Sequence, residues 1–176
     1  MSYVAVYDIA TPGTPNKVLT HFDDIQSTLA EQGVRFERWQ PAPIEKGASV
    51  AQMIAAYQPQ IDALGYANVE VVSVTGDHPH KATLPVECVS EHTCREDQAR
   101  FFIAGQGLCS LRIGNYVYGV RCEKNDLLIV PAGTPHWFDI GENPYFVALH
   151  LFNTAEGSAP TLTGNDIAFD AAKLDD

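Results

Sequence analysis

The sequence predicts a mainly β protein, a closed barrel with helices packed outside it. From Val69 onward, strand-length segments alternate with turn residues such as Gly114-Asn115 and Asn125-Asp126. Before that point, apolar residues recur at helical spacing. A chain of 176 residues is long enough for one domain with a sizeable core. We therefore predict one domain over 1–176, with a helical N-terminal part at 1–68, a barrel core at 69–153 and a tail at 154–176.

The first elements of the chain are a strand and a short helix. Tyr3–Tyr7 alternates weakly between apolar and other residues, which indicates a strand. Asp23 opens a helix that carries Ile25 and Leu29 on one face, and Gly33 ends it.

A second strand and helix follow. Val34–Trp39 alternates like a strand. A helix begins at about Ser49 and has apolar residues at helical spacing up to Gly65. Pro59 lies inside this pattern, so the helix should be kinked or split there.

Many short segments with regular turn signals are typical of a β-sandwich or β-barrel. The predicted strands of the core are Val69–Thr75, Pro85–Glu91, Arg100–Ala104, Leu108–Ile113, Tyr116–Cys122, Leu127–Val130, Trp137–Ile140 and Tyr145–Phe152. Gly105 and Gly107 are expected to form a turn between two of them. The acidic tail past Thr163 is expected to be loosely held.

Charge and composition exclude several classes of partner. A net charge of -11 argues against nucleic acid and anionic membrane surfaces. The sequence has no apolar run of membrane length, and Met1–Asp8 does not resemble a signal peptide, so we expect a cytoplasmic protein. Its four cysteines should be thiols there. We expect a monomer or a small homo-oligomer that binds a small molecule.

Two short motifs resemble the halves of one metal site. They are His92-x-Cys94-x-x-x-Gln98, followed by Gly105, and Pro131-x-Gly133-x-x-His136. Barrels of the cupin (double-stranded β-helix, or jelly-roll) class carry their ligands as His-x-His-x-x-x-Glu, then Gly, and later Pro-x-Gly-x-x-His. The resemblance implies that His92 and His136 are ligands and that Cys94 and Gln98 replace two others.

Strand alternation extends this candidate site. On a strand, Cys88, His92 and Cys94 would share one face, and His150 would share a face with Ala148 and Phe152. Isolated histidines are more often structural, and His21, His78 and His80 are interpreted in that way. For His150 the structural and ligand interpretations are equally supported.

Several residue types in these motifs allow more than one role. Cys94 is a thiolate ligand, a reactive thiol or a small filler, and a ligand set that includes it favours zinc or copper. Gln98 is a ligand or an orienting hydrogen-bond group. Arg100 is suited to an anionic oxygen, or else forms a surface ion pair with Glu96 or Asp97. Four aromatic residues either wall a pocket or pack in the core: Phe101, Phe102, Trp137 and Phe138.

Longer motifs across the chain closely resemble the bacterial acireductone dioxygenase family. They include Gly33–Trp39, Ile54–Tyr57, Glu91–Thr93, Arg100–Phe102, Cys122–Leu127 and Pro135–Asp139. The resemblance implies a cupin enzyme of methionine salvage that holds iron(II) or nickel(II) through three histidines and a glutamate. It also implies an enediol substrate that chelates the metal and reacts with O2.

The resemblance also marks where this chain departs from its family. Cys94 and Gln98 fall where the family has the third histidine and the glutamate, while Arg100 matches the substrate-binding arginine. Phenylalanine, arginine and tryptophan are expected where this chain has Cys88, His150 and Ser158. These changes cluster in the predicted pocket, so we expect a relative with altered chemistry.

The leading hypothesis is a metal-dependent oxygenase or lyase that acts on a small enediol-type or related polar substrate, diverged from methionine salvage. One divalent transition metal is expected, iron or nickel by resemblance and zinc or copper from the thiol. The candidate ligands are His92, Cys94, Gln98, His136 and His150. Catalytic roles are predicted for Arg100, Cys94 and Gln98, and a substrate pocket is predicted from Cys88, Phe101, Phe138 and Ser158.

Two alternatives use the same fold without a metal. One is a metal-free isomerase or lyase in which Cys94 or a histidine acts as acid or base. The other is a binding protein that holds a small ligand in the barrel. Fold alone does not separate these functions.

Overall fold

Two antiparallel sheets that share one long strand form the body of the protein. The computed structural model describes residues 1–74 and 86–176. The strands are β1 (Tyr3–Asp8), β2 (Pro15–Leu19), β3 (Arg35–Arg38), β4 (Asn68–Val74), β5 (His92–Thr93), β6 (Gln98–Ile113), β7 (Tyr116–Glu123), β8 (Asp126–Val130), β9 (His136–Asp139), β10 (Phe146–Phe152) and β11 (Thr161–Leu162). The helices are α1 (Phe22–Glu31), α2 (Val50–Ala56), α3 (Gln58–Leu64), α4 (Val86–Val89), α5 (Ala155–Ser158) and α6 (Ile167–Asp170).

The long strand β6 belongs to both sheets. Its C-terminal half lies in a sheet of order β11-β5-β9-β6-β7-β1-β2. Its N-terminal half lies between β10 and β8 in the second sheet, where β10 also pairs with β4 and β8 with β3. Apolar side chains from both sheets, among them Leu111, Val120 and Leu128, pack together between them. The mainly β fold with helices outside it is therefore confirmed.

Gly105 allows β6 to pass from one sheet to the other. The expected turn at Gly105 and Gly107 is wrong, since Arg100–Ala104 and Leu108–Ile113 are parts of one continuous strand. Gly105 has φ 74°, and a Cβ there would lie 2.0 Å from the backbone oxygen of Tyr145. A glycine is needed for both the conformation and the close approach of β10.

The segment before the first motif is helical, although a strand was predicted at Pro85–Glu91. Val86–Val89 forms the short helix α4, and Ser90 is a bend before β5. A short apolar run does not distinguish a strand from a helical turn, which explains the error. Pro85, Thr75, His78 and His80 lie outside the described residues.

The helical layer follows the prediction more closely. The predicted second helix is split into α2 and α3, with Pro59 in the first turn of α3. A proline is well accommodated there because the first-turn N–H groups have no helical partner. Tyr57 and Ile61 pack with Phe101 and Leu149 on the outer face of the second sheet. The N-terminal part also supplies β2, which was not predicted.

The C-terminal tail is packed rather than loosely held. Ala168, Ala171 and Leu174 are buried, and the two alanines belong to one apolar cluster with Trp137. The Asp175 carboxylate accepts a hydrogen bond from the Glu142 backbone nitrogen. Apolar residues spaced three apart in this acidic segment explain its attachment. Within the described ranges, no helix has the length and apolar character needed to cross a membrane.

Candidate metal centre

The two motifs meet on neighbouring strands of the first sheet. His92 on β5 lies directly opposite His136 on β9, and their ring centroids are 4.3 Å apart. The Gly133 backbone nitrogen donates to the carbonyl oxygen of Cys94 at 2.9 Å, which ties the two motifs together. The potential ligand atoms of His92, Cys94 and His136 all lie within 4.8 Å of one another, and all three residues are buried.

The backbone sets the orientation of both histidine rings. Nδ1 of His92 is 2.8 Å from the carbonyl oxygen of Ser90. Nδ1 of His136 is likewise 2.8 Å from the carbonyl oxygen of Thr134. A carbonyl oxygen only accepts, so Nδ1 carries the proton in each ring and Nε2 has the lone pair. This arrangement is typical of metal-binding histidines, because the outer hydrogen bond fixes both tautomer and orientation.

Burial keeps His136 and Cys94 uncharged. It lowers the pKa of His136 to about 3, with further lowering from His92 and Arg100 against the hydrogen bond to Thr134. Burial also raises the pKa of the Cys94 thiol, although the charge of Arg100 acts in the opposite direction. The thiol points at the carbonyl oxygen of Ser158, at 3.6 Å from Sγ. The centre therefore offers a neutral imidazole at His136 and a protonated thiol at Cys94.

This set of donors fits a single divalent metal. Zn–N and Zn–S bonds are about 2.0–2.3 Å long, so two donors on one ion are at most roughly 4.4 Å apart. The observed limit of 4.8 Å requires only small side-chain movement to reach that geometry. Imidazole and thiolate are both zinc ligands, and two imidazoles with one thiolate are the protein ligands of one class of copper site.

Arg100 places a positive charge beside the centre. Its guanidinium lies over the ring of Phe138, 4.6 Å from the centroid, and that ring is 5.9 Å from the ring of His136. The alternative ion pair with Glu96 or Asp97 is wrong. The Glu96 carboxylate accepts from Thr154, and that of Asp97 accepts from the backbone nitrogen of Ala132. Among the residues that the structure describes, Arg100 has no carboxylate partner.

The predicted pocket residue Phe101 lies on the wrong face of β6. It is fully buried in the outer layer, where its ring is stacked on Trp39 with centroids 4.3 Å apart. Phe102 is instead on the inner side, and it lines a mostly apolar cavity together with Arg100 and Phe138. Side chains alternate between the two faces of β6 in this stretch, so Phe102 lies on the same face as Arg100. The sequence could therefore have identified Phe102, and not Phe101, as the pocket residue.

Two other predicted pocket residues lie next to the thiol. Cys88 is buried on α4, close enough to Cys94 to contribute to the raised pKa of that thiol. Ser158 presents its backbone carbonyl to Cys94, while its hydroxyl donates to the carbonyl oxygen of Ala155. Cys109 and Cys122 are buried in the core, and burial raises the pKa of Cys109 to about 12.

His150 and Gln98 form a separate polar group on the inner wall. Nε2 of His150 is 2.7 Å from Oε1 of Gln98, and Nδ1 is 2.8 Å from a carboxylate oxygen of Glu70. His150 does not belong to the cluster of mutually close donors formed by His92, Cys94 and His136. Burial and the charge of Arg100 lower the pKa of His150 to about 4, against the effect of Glu70. Sequence analysis did not identify Glu70, because strand register cannot be deduced from one strand alone.

Two features define the class of this protein: two sheets that share one long strand, and histidines from two separate motifs that meet inside them. It is a cupin with a candidate metal centre inside the barrel.

The chain belongs to the ARD/ARD' family, whose model matches residues 6–160. It is 56% identical over 181 residues to a protein of Pseudomonas fluorescens (strain Pf0-1) named acireductone dioxygenase, with all of both chains covered. A protein of Pseudomonas syringae pv. syringae (strain B728a) with the same name is 55% identical over 181 residues, again with full coverage. A solved structure described as acireductone dioxygenase from Bacillus anthracis with a cadmium ion in its active center has a TM-score of 0.79. That structure is 22% identical, and the match covers 92% of this chain and 98% of the other.

Proposed function

We propose that this protein is a metal-dependent dioxygenase whose centre is formed by His92, Cys94 and His136. The observation that carries the proposal is the convergence of their three donor atoms within 4.8 Å on the buried inner side of the barrel. The relatives named acireductone dioxygenase support the reaction class. Its substrate would be a small enediol related to acireductone, oxidised with O2. The replaced ligands indicate a function diverged from methionine salvage.

The metal, when bound, would supply a Lewis acid and a template for two substrate oxygens. The thiolate makes this centre softer than one with a carboxylate, which favours zinc or copper over iron or nickel. Cys94 must lose its proton on binding, whereas His92 and His136 would bind through Nε2 as neutral rings.

Arg100 would bind the anionic oxygen of an enediolate. Its charge has no carboxylate partner among the described residues, and the ring of Phe138 holds the guanidinium from one side. A positive charge aimed at a developing anion in a partly dry site stabilises the transition state more than it would in water. The apolar wall that includes Phe102 and Phe138 would exclude water from the reaction.

The first test is metal analysis of protein purified without chelator. We expect about one equivalent of a transition metal in the wild type and a large loss in His136→Ala. Less than about a tenth of an equivalent, not recovered on reconstitution, would exclude the proposed function. His21→Ala is the control, since His21 is exposed and precedes α1.

The second test is consumption of an acireductone-type enediol and O2 by the loaded enzyme. Arg100→Met should lower kcat/KM by about 10²–10³-fold, the cost of removing one preorganised oxyanion donor. Full turnover in a chelator that is abolished by Cys94→Ser would instead support the metal-free isomerase or lyase. The raised pKa of Cys94 argues against its use as a base at neutral pH.

We also propose a cytoplasmic location. All four cysteines are free in the structure, which fits a reducing compartment.

A further inference from the structure

Glu70, His150 and Gln98 form a row of three polar side chains on the inner face of the second sheet. Glu70 on β4 is directly opposite His150 on β10, and His150 is directly opposite Arg100 on β6. Gln98, two residues before Arg100, completes the row on the same face of β6. His150 is 7% exposed and Gln98 is 5% exposed, whereas the Glu70 side chain is 54% exposed.

The side-chain amide of Gln98 has only one workable orientation. Its Nε2 lies 3.1 Å from the carbonyl oxygen of Glu96 and 3.0 Å from that of Asp97. Carbonyl oxygens only accept, so the amide NH2 group must make both contacts. Oε1 therefore faces His150, and Nε2 of His150 donates its proton to it at 2.7 Å.

Both nitrogens of the His150 ring are thereby engaged. With the Nε2 proton given to Gln98, the 2.8 Å contact between Nδ1 and Glu70 requires a second proton between those two atoms. The ring of Phe152 stacks on His150 at 4.9 Å between centroids and holds its plane.

We propose that His150, braced by Glu70, is a positioning residue that keeps the Gln98 carbonyl as a hydrogen-bond acceptor and so excludes Gln98 from the metal. This inference rests on the proposed function because it assumes that a metal binds His92, Cys94 and His136. A neutral amide oxygen is a weaker ligand than a carboxylate. The hydrogen bond from His150, together with the two that Nε2 of Gln98 donates, holds this oxygen toward the imidazole with one of its two lone pairs in use. The centre then has three protein donors and leaves its remaining positions for substrate, as catalytic zinc sites do.

The decisive experiment uses cobalt(II), whose visible absorption reports coordination number, on the full-length protein. Gln98→Ala should leave the cobalt affinity within about threefold of wild type and leave the spectrum unchanged. His150→Ala should release the Gln98 oxygen toward the metal and weaken the visible bands, because coordination number rises. The double variant, which has neither group, should regain the wild-type spectrum.

The proposal is overturned if Gln98→Ala alone lowers cobalt affinity about tenfold or more, or changes the visible bands, since either result makes Gln98 a ligand. It is also overturned if His150→Ala leaves the spectrum unchanged. Glu70→Gln should shift the spectrum in the direction of His150→Ala but less far. The matched control is Glu37→Gln, which removes a half-buried carboxylate paired with Arg35 away from the site and should change nothing.

A metal-free measurement separates this inference from the proposed function. In chelated protein, NMR should detect a slowly exchanging His150 Nε2–H that disappears in Gln98→Leu and persists in Cys94→Ser. Absence of that proton in the wild type overturns the inference whether or not a metal binds. Its presence in protein that never binds cobalt would support the hydrogen-bond arrangement and exclude the proposed metal chemistry.

Discussion

Two histidine sites lie inside the barrel, one on each sheet, and they differ in what holds the rings. His92 and His136 each present Nδ1 to a backbone carbonyl two residues earlier in the chain. His150 is held by two side chains, those of Gln98 and Glu70. A backbone acceptor leaves Nε2 as a lone-pair donor for a metal, whereas side-chain partners on both nitrogens make His150 an organiser of its neighbours.

This comparison shows that the burial of a histidine does not by itself indicate a metal ligand. His92 and His136 are 2% exposed and His150 is 7% exposed, so all three are buried to a similar degree. Hydrogen-bond partners distinguish them. Predictions about metal binding should therefore separate the two sites sharply.

The largest effect on metal binding is expected from His136→Ala. Loss of a ligand from a three-donor centre should lower metal affinity by more than about 100-fold, beyond the 10–100-fold typical of outer partners. Competition with a chromogenic chelator measures this. An affinity within tenfold of wild type would show that the two histidine sites do not differ as described.

The second effect concerns pH. Because the pKa of Cys94 is raised by burial, the thiol is protonated at neutral pH and each metal bound must displace its proton. His136, with a pKa of about 3, is already neutral and releases none. Metal affinity should therefore rise about tenfold per pH unit between roughly pH 6 and 8. Titrations with zinc at several pH values measure the slope, which Cys94→Ser should flatten.

A pH-independent affinity in the wild type would exclude thiolate ligation. In Cys94→Ser the affinity itself should fall, since a neutral hydroxyl is a poor ligand for a soft centre.

A third variant separates folding from metal binding. Phe101→Ala removes a fully buried ring on the outer face of β6, so the free energy of unfolding should fall by about 3–5 kcal/mol. Metal affinity of the folded fraction should change less than threefold, because that face does not reach the cluster. Denaturant unfolding and metal titration below the transition test the two parts. A large loss of affinity would show that the inner wall depends on outer packing.

The smallest effect is expected from Glu70→Gln, which alters the row around His150 without touching a ligand. Metal affinity should stay within about twofold of wild type, whereas a ligand role for His150 would make the loss far larger. Isothermal titration with zinc resolves this difference.

Sequence reasoning predicted the group of three donors because its information is local. His92, Cys94 and His136 belong to short motifs whose spacing depends on one turn or one strand each. The motifs also follow the family pattern closely enough to indicate where the barrel brings them together. The same locality explains why the strand alternation through Arg100 and Phe102 was available from sequence.

What sequence could not provide is register between distant segments. Glu70 reaches His150 only through the pairing of β4 with β10, which places residues 80 positions apart directly opposite. The continuation of β6 through Gly105 likewise depends on distant residues, because a glycine at that position is equally compatible with a turn. Cys88 was placed on a strand because its apolar run is too short to show a helical period.

The stacking of Trp39 on the outer face of the second sheet and the position of Trp137 on the first sheet have a consequence for fluorescence. They are the two tryptophans of the chain, one packed on Phe101 and the other immediately after His136, against the C-terminal segment. Replacing one tryptophan by phenylalanine leaves the other as the single source of tryptophan fluorescence. The fluorescence of Trp39 would then report changes in the packing of the N-terminal helices, and that of Trp137 would separately report changes next to His136.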